Sequence, residues 1–240
     1  AGNPRRFLAL CAQAAKRRMV VGWQEQMDNY CERTDLTFWS EPLNAITNAA
    51  FLIAALVVFL ILRRDGRMDW GLGLSLLVLT AIGIGSFLFH TFATRWASTA
   101  DVTPILLYIM VYLYHIGTRL FDLRWWWGLA MALGFIPYSF VVVSALQPVV
   151  GSLNGSIAYM PVPIGLLIFA GLLWGKRPEV AKGFLIGIAI LCLSLFARTV
   201  DEALCTAFPV GTHIFWHILN GIMLGWMILV MGRATEPKGA

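Results

Sequence analysis

The chain has 240 residues, 59% of them hydrophobic and 13% charged, with a mean hydropathy of +0.73. Roughly a quarter of a soluble domain is charged, so this composition excludes that class and indicates one polytopic membrane protein, all-α because a helix satisfies its own backbone in lipid. The formal charge of +5 is then a matter of topology and not the footprint of a nucleic-acid partner.

Residues 1–41 read as an N-terminal outer-side segment ending in an acidic loop. Their early apolar run is too short to span and is closed by Lys16, Arg17 and Arg18, so they form neither a clean signal peptide nor a membrane helix. Residues 42–232 form the membrane domain. Windows of about 20 residues predict seven spans there, near 43–62, 70–90, 101–119, 126–146, 156–174, 183–200 and 213–232. Residues 233–240 are left as a short tail. No internal repeat or low-complexity tract is visible. Lys and Arg gather in the loops after spans 1, 3 and 5 and in the tail, which predicts an outside N-terminus and a cytoplasmic C-terminus. A bacterial inner membrane is the expected location.

This topology brings polar residues from distant parts of the chain to one depth. The end of span 2 carries His90, the start of span 3 Asp101, and the start of span 7 His213 and His217 in the stretch HIFWH. Positions i and i+4 share a helix face, so His213 and His217 point the same way, as do Ser86 and His90 in GSFLFH. The turn TFATRWASTA is expected to return Asp101 beside His90. Ionisable groups at this depth are costly and mark sites.

Three imidazoles match the protein ligands of a catalytic zinc centre with one position left for water. Asp101 is the candidate proton carrier and Ser86 the candidate hydrogen-bond donor to a developing oxyanion. His115, at the other end of span 3, reads as a surface residue. Cys192 reads as a small buried apolar residue. A site just below the outer surface suits an amphiphile with its head at the interface, so a lipid amide is the expected substrate. A proton path through a transporter is the rival reading. It requires polar residues along the bundle, where few are found, mainly Asn48, Ser75, Ser139, Ser144 and Ser194.

The set YCE (30–32), FWSEPLNAITN (38–48), GSFLFH (85–90) with Asp101, RTVDEALC (198–205) and HIFWH (213–217) resembles the alkaline ceramidase family, one branch of a wider group of seven-helix membrane hydrolases. The resemblance runs from about residue 28 to 232. It implies a zinc-dependent amidase that cleaves ceramide into a sphingoid base and a fatty acid, with zinc on His90, His213 and His217 and catalytic roles for Ser86 and Asp101. It also implies a disulfide between Cys31 and Cys205. By likeness to eukaryotic members it suggests calcium in the acidic segment, where Asp28, Asn29, Glu32, Asp35 and Glu41 offer oxygen ligands. The spacing from YCE to SEP is shorter than in calcium-binding members. Val102 and Ser98 depart from the family pattern and leave the substrate open among ceramide and close lipid amides. A receptor-like branch of the same group that keeps the zinc residues is the alternative. No protein partner is inferred.

Overall fold

A computed structural model describes residues 22–234. The expectations for residues 1–21 and 235–240 fall outside the described residues. Seven helices are long and apolar enough to cross a membrane. The first span, Pro42–Arg64, is built from α1 (Pro42–Thr47) and α2 (Ala49–Arg64), interrupted at Asn48. The others are α3 (Trp70–Phe92), α4 (Arg95–His115) with a π-helical extension at Ile116–Leu120, α5 (Trp125–Val150), α6 (Pro161–Leu173) with a 3-10 turn at Ser156–Tyr159 before it, α7 (Pro178–Leu204) and α8 (His213–Arg233).

Local chemistry sets several of these ends. Pro42, Pro161 and Pro178 open their helices, where a missing N–H removes no helical bond. The Asp69 carboxylate caps α3 by accepting from Gly71 N and Leu72 N at 2.8 and 3.0 Å. Between α3 and α4 the chain reverses in two residues, with Ala93 in the left-handed region at φ 46° and Thr94 extended. The expected ten-residue turn is therefore almost entirely helix, and Asp101 lies inside α4. Likewise α7 runs through Leu204, so Asp201, which lies beyond the expected end of span 6 at residue 200, is helical. Both misreadings have one cause: polar residues in a membrane chain mark either a loop or an inward-facing helix end.

The bundle has an apolar outer surface and an apolar core, into which a minority of polar residues is buried. Phe140 on α5 is 73% exposed, whereas Asn44, His90, Ser194, Asp201 and His217 are fully buried. With lipid as solvent, helices associate through close packing and hydrogen bonds. On α8, Gly221 meets Ala50 and Gly225 meets Ala54 of α2. Tyr108 and Tyr112 of α4 donate to the Leu224 and Met227 carbonyls of α8 at 2.7 and 3.0 Å, and Asn220 Nδ2 donates to Ser194 Oγ at 2.8 Å. Two single-residue readings are corrected here. Cys192 is exposed on the outer surface of α7, because its position turns away from α8. His115 is buried and not a surface residue, with Nε2 at 3.2 Å from the Gly71 carbonyl of the neighbouring α3.

At that same end Arg119 grips Asp69 with two bonds, of 2.8 and 2.9 Å. Burial alone would raise the Asp69 carboxyl; its bonds to Arg119 and to the Leu72 and Gly71 amides outweigh this and hold it at about 2, below the ordinary 3.8. A depressed carboxyl stabilises the fold fully above its unfolded value and loses that contribution as pH falls through its folded value. Asp69→Ala should cost about 1 kcal/mol, the ordinary worth of a cap, at neutral pH. The difference should persist into mildly acid solution and vanish only as pH approaches the folded value, as read by thermal unfolding of both proteins in detergent.

Candidate metal centre

At the opposite end of the bundle, α3 delivers His90 and the first turn of α8 delivers His213 and His217. One ligand atom from each lies within 4.8 Å of the others, and all three residues are buried. The expected convergence of these histidines is what the structure shows. Among the described residues no other group of three His, Cys, Asp or Glu side chains meets this way.

The neighbours fix the hydrogen positions of two rings. Glu41 Oε2 is 2.6 Å from His90 Nδ1, so that nitrogen carries the hydrogen and donates to the carboxylate. Thr47 Oγ1 gives its own hydrogen to the Leu43 carbonyl at 2.7 Å, leaving an oxygen lone pair to accept from His217 Nδ1 at 2.9 Å. The tautomers assigned by these bonds leave both Nε2 atoms as bare lone pairs. They face each other at 3.1 Å. Two acceptors so close in a dry interior repel, and a shared cation resolves the conflict. The third ring, His213, has its Nδ1 buried without a protein partner. A three-imidazole donor set with carboxylate and hydroxyl support behind it is the chemistry of a zinc-type metal site.

Beside the histidines, α3 and α4 nearly touch. Gly85 packs on the Ala100–Asp101 backbone: an added Cβ would collide with the Ala100 carbonyl oxygen and lie 2.8 Å from its carbon. This contact brings Ser86 into side-chain hydrogen-bonding reach of Asp101, whose carboxylate also feels the charges of His90 and Arg198. Arg198 donates to the Asn154 carbonyl and to Ser156 Oγ, and lies 5.7 Å from the ring centres of Tyr159 and Trp216.

The N-terminal segment covers the site. Tyr30 stacks on His213 with ring centres 3.7 Å apart. Burial pushes the Tyr30 hydroxyl above its ordinary range, against the opposing charge of Arg198, so it stays neutral and accepts from the Arg198 guanidinium. Cys31 and Cys205 form the expected disulfide. Next to it, the Asp201 carboxylate accepts from Cys31 N, Thr212 N and His213 N at 3.1, 2.6 and 2.9 Å, starting α8 and placing its first histidine. Gly211 makes room for this, with φ +74° and an added Cβ only 2.9 Å from Cys31 Cβ.

The oxygen-rich residues of the segment do not gather into a calcium cradle. Glu32 accepts from Leu43 N and Asn44 N, both at 2.7 Å, and so caps the first span. Asp35 accepts from Thr37 at its backbone and its hydroxyl, at 2.8 and 2.6 Å. Asp28 is exposed and Asn29 half-buried. Glu41, expected as a ligand of a hard cation, is instead shared between His90 and Arg33. The donor set does not fit calcium, because the Glu32, Asp35 and Glu41 carboxylates are turned to separate protein donors.

Sequence reasoning assigned no role to Thr47, Asp201 or Arg33, and gave Glu41 a different one. The available signal was a carboxylate set just ahead of an apolar run, a place that suits a helix cap as well as a metal ligand.

Gly85→Val should separate α3 from α4 and destabilise the protein by about 1–3 kcal/mol, the cost of overpacking. Gly134→Val is the control, since an added Cβ at Gly134 meets nothing within 4 Å. Thermal unfolding in detergent should show a lower melting temperature for the first variant alone.

A search of curated proteins finds no match. A family model described as Ceramidase matches residues 24–236, from ahead of the first span to beyond the last. The chain therefore belongs to the Ceramidase family, amide hydrolases that act on ceramide.

Proposed function

We propose that this protein is an intramembrane zinc-dependent amidase that hydrolyses ceramide, or a close lipid amide, to a sphingoid base and a fatty acid. The observation that carries the zinc assignment is the pair of Nε2 lone pairs facing each other at 3.1 Å with both Nδ1 atoms already occupied. His90, His213 and His217 would hold the ion, which supplies Lewis acidity and makes water a nucleophile at neutral pH.

The chain's own residues divide the remaining work. Ser86 donates a hydrogen bond to the amide carbonyl oxygen as negative charge builds there. Asp101 takes a proton from the attacking water as its oxygen bonds to the carbonyl carbon. The carbon–nitrogen bond then breaks, and Asp101 returns that proton to the leaving amine. Water has been added across the amide, and both residues are back in their starting state.

Two further features favour a lipid. A small cavity of about 50 Å³ lies between Phe51, Tyr159, Trp216 and Asn220, on the same face of α8 as the histidines. It shares Tyr108, Ile109, Val162, Met223 and Leu224 with a larger apolar cavity of about 190 Å³ among α4, α5, α6 and α8. Together they offer a path for a hydrocarbon chain. Of the polar residues that a proton path would use, Ser75 and Ser139 bond to their own helices, Asn48 Nδ2 donates to the Asn44 carbonyl and Ser194 Oγ donates to the Trp216 carbonyl, so they do not form a connected chain with one another. The disulfide lies at the histidine end, which suits an oxidising outer side and agrees with the basic residues at the other end.

The test is fatty-acid release from a ceramide panel by purified protein in detergent, with zinc measured on the same samples. Wild type should turn over and hold one zinc, and His217→Ala should do neither. Ser86→Ala and Asp101→Asn should keep zinc while turnover falls by about a hundredfold or more. A folded wild type without zinc would refute the metal assignment; zinc without turnover of any ceramide would refute the substrate.

A further inference from the structure

Among the described residues of the N-terminal segment the most buried charged side chain is a cation, and the mechanism above does not use it. The Arg33 side chain is 1% exposed. Each of its three guanidinium nitrogens donates to a different oxygen: Nε to Glu41 Oε1 at 2.5 Å, Nη1 to the Asp35 carbonyl at 3.1 Å, and Nη2 to the His90 carbonyl at 3.0 Å. One carboxylate and two carbonyls make the kind of oxygen set that a hard divalent ion selects. Here a planar fork of donors fills it, with the charge spread over fixed directions.

The geometry around Glu41 shows what this achieves. Its Oε2 accepts from His90 Nδ1 at 2.6 Å and from Asn44 Nδ2 at 3.2 Å, while Oε1 is turned to Arg33. A buried carboxylate requires a paired charge, and Arg33 supplies it from the side away from the histidines. The same guanidinium takes the His90 carbonyl, one of the last in α3, where the helix dipole favours a cation. Arg33 therefore holds His90 at two places, through its backbone and through the carboxylate behind its ring.

We propose that Arg33 is the built-in cation of this segment: its guanidinium, in place of a calcium ion, positions Glu41 and His90 and so tunes the affinity of the three-histidine centre for zinc. Arg33 is a positioning residue, and the proposal rests on the zinc reading above. A divalent ion brought to Glu41 would have to displace a guanidinium already bonded to it, so calcium has no role at this centre.

The experiment measures zinc affinity by chelator competition on the purified full-length protein, apart from any assay of turnover. Wild type, stripped of calcium beforehand, should bind one zinc with the same affinity in calcium-free buffer and in about 1 mM calcium, a level that saturates even weak calcium modules. Arg33→Met fills similar space without charge and should lose roughly 10- to 100-fold in zinc affinity, the usual effect of removing support behind a metal ligand. Arg33→Lys keeps the charge without the fork and should recover part of that loss. A role in packing alone would leave the Met variant at wild-type affinity, or the Lys variant no better than Met; either result overturns the proposal. So does a wild type whose zinc affinity depends on calcium. The calcium comparison needs only the wild type, and the Lys variant is compared with wild type directly if the Met variant does not fold. A wild type that binds no zinc refutes the functional reading and this proposal together, whereas zinc bound with equal affinity by all three proteins refutes this proposal alone.

Discussion

Two imidazole nitrogens, each with a lone pair and no hydrogen, face each other across 3.1 Å in the interior of a membrane bundle. Much of the surrounding structure holds that unfavourable encounter in place. Glu41 and Thr47 fix the hydrogen on the far nitrogen of each ring, and both residues flank or belong to the short helix α1. Across the break at Asn48, both α1 and α2 pack against α3 and α8. Glu32 caps this helix from the segment before it. The arrangement is a three-imidazole donor set whose rings are oriented by the carboxylate and hydroxyl behind them.

The N-terminal segment works as a fitted cover. It is tied down covalently at Cys31, by the Cys31 amide to Asp201, by Tyr30 stacked on His213 and by Arg33 between Glu41 and the His90 carbonyl. These ties reach both ligand-bearing helices, α3 and α8. Closing the site from above excludes water from the histidines, while the cavities beneath stay apolar. The polar chemistry is thus confined to a thin layer at one end of the bundle.

The number and order of spans were legible in the sequence, because hydropathy over a bilayer's thickness is a strong and local signal. The three histidines and their partners Ser86 and Asp101 were legible too, since helical spacing and a tight reversal constrain them. The ends of α4 and α7 were not: the stretch from Arg95 to Ala100 and the residues from Asp201 to Leu204 are helical, and polarity alone does not separate a helix end from a loop. Nor was Glu41 readable as the partner of His90, 49 residues away, or Thr47 as the partner of His217, 170 residues away. Such pairs depend on how helices rotate against one another. Cys192 and His115 were misjudged for the same reason, since each faces the side opposite to the one its type suggests.

The distribution of the histidines along the chain also bears on biogenesis. His90 enters with the second of the seven spans, but His213 and His217 belong to the last, and Cys205 immediately precedes it. A nascent chain with six spans inserted carries one of the three imidazoles and one unpaired end of the cross-link. The three-histidine cluster is therefore assembled only once the seventh span is in place, and a chain truncated before that helix lacks two of the three imidazoles. For an enzyme whose substrate surrounds it from the first span onward, this keeps hydrolysis from starting before the bundle is whole.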